Sequence, residues 1–144
     1  MSEKSYRKEG RLAEVLALIQ VLSYDKITSR SETGLSNELQ SKPATHSSWI
    51  ALAKEHTEFF RVREGADEED EKKKDLVSLV SRFVQPKVEG EKNRSPLETD
   101  VVNKLMEIAV EIHDRQSERC DRFWKLYIPI IVALLALLGK VLFG

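Results

Sequence analysis

The sequence predicts an α+β chain: a small head of three helices and a β-hairpin, then a long amphipathic helix leading into a single transmembrane helix. Three observations carry this. The stretch Phe123 to Phe143, FWKLYIPIIVALLALLGKVLF, holds no charge except Lys125 and Lys140. Apolar residues recur at three- and four-residue steps between positions 12 and 22 and again between 101 and 112, the mark of helices with one buried face. Between these, two runs rich in branched and aromatic residues flank a charged turn, as a hairpin requires.

The terminal stretch is expected to be a membrane anchor. As a helix rising about 1.5 Å per residue it would extend about 31 Å, the thickness of a bilayer's hydrocarbon core. Leu126, Ile128, Ile130, Ile131, Leu134, Leu135, Leu138 and Leu142 each favour insertion by about 0.3 to 0.6 kcal/mol, and the whole run sums to about 5 kcal/mol. Phe123 opens the segment, and Trp124 and Tyr127 stand where an aromatic belt meets headgroups. Lys125 and Lys140 lie near the ends, where long side chains snorkel. Arg115, Arg119, Arg122 and Lys125 precede the span and only Lys140 lies beyond. The positive-inside bias then predicts a single-pass, tail-anchored membrane protein with its N-terminal domain in the cytoplasm. Glu14 and Gln20 interrupt the apolar run from Leu12 to Leu22, so no signal peptide is expected there. A single cysteine, Cys120, permits no internal disulfide, as suits a reducing compartment.

Taken in order, residues 1–10 are a short polar tail. Leu12, Val15, Leu16, Ile19 and Leu22 predict a helix from Arg11 to about Tyr24. Ile27 and Thr28 suggest a very short strand, and a polar loop follows. Leu35 and Leu39 predict a second helix over 34–41, ended by Pro43. Thr45 or Ser47 caps a third helix through about His56, with Trp49, Leu52 and Ala53 inward. Glu58 to Arg63 and Leu76 to Val84 are the hairpin strands, with Val77, Leu79 and Phe83 on one face. The turn between them, EGADEEDEKKKD, is too charged to bury. Residues 85–94, QPKVEGEKNR, form a charged, structureless linker. Ser95, Pro96 and Glu98 mark the start of a stalk helix over 95–122: a cap, a proline at the first position, and a glutamate three residues after the cap. The anchor occupies 123–144.

Over residues 11–84 the order of three helices, a short strand and a hairpin resembles a winged helix-turn-helix domain. The resemblance lies in element order and spacing alone. It implies a recognition helix at 45–56 and a wing between the two strands. In such domains these elements contact DNA, but many members bind proteins. Here the outward residues of the third helix, His46, Ser48, Ala51, Lys54 and Glu55, offer one dependable cation against one acid, and the wing tip 65–70 is acidic. With 23 Lys and Arg against 24 Asp and Glu, the chain also lacks the basic excess of a phosphate-binding protein. Nucleic acid is therefore a secondary expectation.

Catalytic and metal motifs are absent from the sequence. There is no glycine-rich phosphate loop, no G-x-S-x-G, no C-x-x-C, and no pair of histidines one helical turn apart. The acidic run Asp67 to Glu71 lacks the spacing and glycine of a calcium loop. The expected function is a non-enzymatic, membrane-tethered interaction module without cofactor or metal, binding a protein partner through His46, Ser48, Lys54, Glu55, Arg61 and Arg63. Val101, Leu105, Ile108 and Ile112 follow coiled-coil steps and are candidate stalk contacts for a homo-oligomer. The alternatives are a membrane-anchored nucleic-acid regulator and a small oligomerising effector, of defence or toxin type, that permeabilises the bilayer.

Overall fold

A computed structural model describes the backbone of residues 8–65, 74–87 and 89–143, and their side chains except those of 119–124 and 134–143. Among these residues the chain forms α1 (Arg11–Tyr24), β1 (Ser29–Ser31), α2 (Glu32–Leu39), α3 (Trp49–Glu55), β2 (Phe60–Arg63), β3 (Leu76–Leu79), a 3-10 helix (Val80–Val84) and α4 (Thr99–Phe143).

Helix α1 is the centre of the head. Its Val15, Leu18, Ile19 and Leu22 are wholly buried, and against them pack Leu35 of α2, Trp49 and Leu52 of α3, Phe60 of β2, Val77 and Leu79 of β3 and Val102 and Ala109 of α4. Gly10 precedes α1 at φ 85°, a left-handed conformation that disfavours any side chain. Ser31 caps α2 by accepting from the Gly34 amide. Ser48, one residue beyond the expected cap, accepts from the Ala51 amide at 3.0 Å. The carboxylate of Glu32 takes the amides of Trp49 and Ile50 at 3.1 and 2.9 Å. Three of the free N–H groups that begin α3 are thereby satisfied.

The sheet is antiparallel with order β1-β3-β2. Ser29 pairs with Ser78 and Ser31 with Leu76 on one side; Arg61 pairs with Ser78 and Arg63 with Leu76 on the other. Alternation along each strand separates two faces. Phe60, Val77 and Leu79 face the core, while Arg61, Arg63, Leu76 and Ser78 face away from it.

Several expectations are corrected. The second hairpin strand stops at Leu79; Val80–Val84 turns into a 3-10 helix, leaving Phe83 partly exposed. The short strand lies at 29–31, beyond Ile27 and Thr28. Asn93 and Arg94 of the supposed structureless linker are tied to the head. The Arg94 amide donates to Thr28 Oγ1 at 2.7 Å, the Thr28 amide to Asn93 Oδ1 at 3.3 Å, and the Leu97 amide to the Ser23 carbonyl at 2.9 Å. That last contact holds 95–98 off the helical path, so α4 starts at Thr99.

The largest correction concerns the membrane. Among the described residues no helix is long and apolar enough to cross one. Helix α4 runs without interruption through Pro129. The expected class, a winged-helix-like head feeding an amphipathic stalk and a transmembrane span, gives way to an α+β chain with a three-stranded sheet. The single-pass, tail-anchored topology, the membrane localisation and the cytoplasmic placement of the head that rested on the span lose their support with it. Lys125, Leu126, Tyr127, Ile128, Ile130 and Ile131 are exposed on α4. The side chains of Phe123, Trp124, Leu134, Leu135, Leu138 and Leu142 lie outside the described residues.

Candidate functional site

The six expected partner-binding residues fall in three places. At the first, Arg11 is fully buried at the start of α1 and donates to Glu55 at 2.5 Å and to the Thr45 carbonyl at 2.9 Å. His46 Nε2 lies 3.4 Å from the other oxygen of Glu55. Burial pushes the Glu55 carboxyl up, but the hydrogen bond from Arg11, with its charge and that of His46, outweighs this and holds it below the usual carboxylate range. Ser48 is spent as the α3 cap. Glu55 therefore fastens α3 to α1 through Arg11, His46 packs its charge against Glu55, and Ser48 closes the start of α3 itself.

The second place is Lys54. Its ammonium donates to Glu64 at 3.0 Å and to Asp75 at 3.3 Å, and these bonds, that to Glu64 first, raise its pKa. A cation already shared by two acids is a poor receptor for a third. The wing tip 66–70 lies outside the described residues.

Arg61 and Arg63 define the third place. They project from the outward face of β2 into a cleft of ≈ 560 Å³ whose floor includes Ser29, Leu76 and Ser78. Its wall is formed by Phe83 together with the segment Lys92, Asn93 and Arg94, and Lys87 lines it as well. Five cations line this cleft, Arg61, Arg63, Lys87, Lys92 and Arg94, and no acid does so among the described residues. The guanidiniums of Arg61 and Arg94 lie 5.5 and 5.2 Å from the centroid of the Phe83 ring, within the range of cation–π attraction. Arg94 also donates to the carbonyl of Phe83 at 2.9 Å and to that of Gln85.

The wall is fixed from beneath by Arg82, which is wholly buried. Its Nη1 donates to the carbonyls of Leu22, Asp25 and Ile27 at 3.1, 2.7 and 3.3 Å, and its Nη2 to the carbonyl of Arg94. One side chain thus binds the end of α1, the entry to β1 and the wall together. Burial lowers the pKa of this guanidinium, and the charge of Asp25 opposes that.

Sequence reasoning found Arg61 and Arg63 but missed Arg82, Phe83, Lys87, Lys92 and Arg94. A signal was present: three cations, Lys87, Lys92 and Arg94, fall within QPKVEGEKNR, a few residues after Arg82. The stalk contacts divide. Leu105 and Ile112 pack against the core, whereas Val101 and Ile108 are 37% exposed; Val102 and Ala109 are the buried positions. Among the described residues no group of three or more His, Cys, Asp or Glu is placed to hold a metal ion. Comparison with known protein families, with curated proteins and with solved structures finds no match to this chain.

Proposed function

We propose that the protein is a non-enzymatic interaction module that binds an anionic segment of a protein partner in the cleft beside the sheet. The observation that carries this is the convergence of five cations on one concavity with no acid among the described residues that line it. Such a surface is costly to leave unmatched, because like charges repel across a small volume. An anionic partner relieves that repulsion, and electrostatic complementarity of this kind steers association and selects partners.

A catalytic reading has one geometric suggestion in its favour. His46 Nδ1 lies 3.2 Å from Ser47 Oγ, and its Nε2 faces Glu55. The Ser47 amide, however, donates to that same Nδ1 at 2.9 Å, so the lone pair a general base would need is already engaged. Glu55 is committed to Arg11. This supports a structural role for the trio.

The test is site-specific photo-crosslinking in cells, with a photoreactive residue replacing Lys92 at the cleft or Asn37 on α2. Discrete protein adducts from position 92 alone, lost when R61E and R63E are added, are expected. Adducts equal at both positions, or adducts removed by nuclease and not by protease, would refute the proposal.

A further inference from the structure

We infer that the cleft is a receptor for a phosphate group, carried on a phosphorylated side chain of the partner; this rests on the interaction-module reading above. Three features of the site separate phosphate from an ordinary carboxylate. The first is charge density: Arg61, Arg63, Lys87, Lys92 and Arg94 surround a single concavity, and a dianionic group with three acceptor oxygens answers more of them than a carboxylate does. The second is preorganisation. Phe83 lies against both Arg61 and Arg94, and Arg94 is fixed further through Nη1, which donates to the carbonyls of Phe83 and Gln85, so Arg94 is positioned before binding and has less side-chain freedom to lose. The third is the supply of neutral donors. Ser29 and Asn93 line the same cleft; Asn93 Oδ1 already accepts from the Thr28 amide, which leaves its NH₂ group to donate, whereas the Ser78 hydroxyl, also at the cleft, donates to the Arg61 carbonyl at 3.3 Å.

The extent of the positive surface separates a phosphorylated side chain from a nucleic-acid strand. A strand needs a basic track along many phosphates. Here the cations are confined to ≈ 560 Å³, a volume suited to one modified side chain and its neighbours. Acids close the patch along the chain: Glu64 follows Arg63, and Glu89 and Glu91 separate Lys87 from Lys92. Arg63, Lys87 and Lys92 engage no acid among the described residues, so they are available to a ligand.

The experiment uses the full chain, isotope-labelled, immobilised for retention and free for NMR. Probes are inorganic phosphate, a degenerate phosphoserine, phosphothreonine and phosphotyrosine peptide library, the same library after phosphatase, and a single-stranded DNA oligonucleotide. Expected are amide shifts at Ser29, Ser78 and Asn93 with phosphate, and phosphopeptide retention about tenfold above the dephosphorylated library. R63E and K92E, both at exposed positions, should abolish that excess without changing the thermal midpoint, and R63K should keep part of it. Equal retention before and after phosphatase, shifts elsewhere, or tighter binding of the oligonucleotide would overturn the inference. The two readings fail separately. Adducts at position 92 that survive phosphatase treatment of the partner sink the phosphate receptor and leave the module. Phosphopeptide retention without any cellular adduct sinks the module and leaves the anion site.

Discussion

Arg82 offers the sharpest quantitative test of how the cleft is built. Replacing it by methionine keeps an unbranched apolar stem and removes the guanidinium. Nη1 has two hydrogens for the carbonyls of Leu22, Asp25 and Ile27, so one is shared, and Nη2 adds one to Arg94. Three hydrogens are therefore engaged in charge-assisted bonds, each worth about 1.5 to 3 kcal/mol. Two terms oppose them. The charge is desolvated with no carboxylate bonded to it, and Arg82 Nε is buried without a hydrogen-bond partner among the described residues, a cost of about 1 to 3 kcal/mol. The balance predicts that R82M destabilises the fold by about 3 kcal/mol, or about 10 °C in thermal midpoint for a chain this size. R82K should fall between the two, since one nitrogen cannot reach both α1 and Arg94. The assay is thermal unfolding by circular dichroism with amide hydrogen exchange. The Arg94 and Leu97 amides, which bond Thr28 and Ser23, should lose protection first. A midpoint within about 2 °C of wild type, or a large drop with those two amides still protected, would refute the reasoning.

Three further outcomes are expected. Glu55 has its pKa lowered in the folded state, so its stabilising contribution is complete above its unfolded value near 4.5 and is lost as pH falls through the folded value. E55Q should therefore cost about 2 kcal/mol at pH 7, and urea titrations should show the gap to wild type closing as pH falls below the unfolded value of 4.5. Ala109 is fully buried between α4 and the core, so A109L should cost about 1 to 3 kcal/mol by overpacking, whereas I108A, at a 37% exposed site, should cost under about 1 kcal/mol; denaturant midpoints decide. E32A frees the Trp49 and Ile50 amides at the start of α3 and should cost about 1 to 2 kcal/mol, read as faster exchange at those two positions.

What was legible in the sequence followed from periodicity. The spacing of Val15, Ile19 and Leu22 fixed one face of α1, and Trp49, Leu52 and Ala53 did so for α3, because buried stripes repeat at short intervals. Arg11 and Arg82 broke that logic: both are charged, both are wholly buried, and a pattern of apolar and polar residues assigns each to the surface. Alternation that puts Val77, Leu79 and Phe83 on one face of a strand leaves Arg82 on the other, and 85–94 reads as a structureless linker, although Arg82 orders the end of that segment through the Arg94 carbonyl. The cleft was illegible for a related reason. Its cations come from 61–63, 87 and 92–94, and only the pairing of β3 between β1 and β2, with the Arg82 hook, brings them to one place. The apolar composition of 123–143 suggested a length of hydrophobic helix that the described residues do not supply. In the stalk, Val101 and Val102 both fit a helical stripe, and packing against α1 chose the second.

The position of β3 in the middle of the sheet has a consequence for how the chain is made. Both outer strands leave the ribosome before the one they flank, so Ser29–Ser31 and Phe60–Arg63 have no ladder to join until Leu79 emerges. At ordinary elongation rates the first two helices therefore wait roughly several seconds with their apolar faces open. A nascent chain whose emerged part ends before Leu76 should display that oily surface to chaperones, and one whose emerged part extends past Ala109, the last fully buried core position of α4, should be closed.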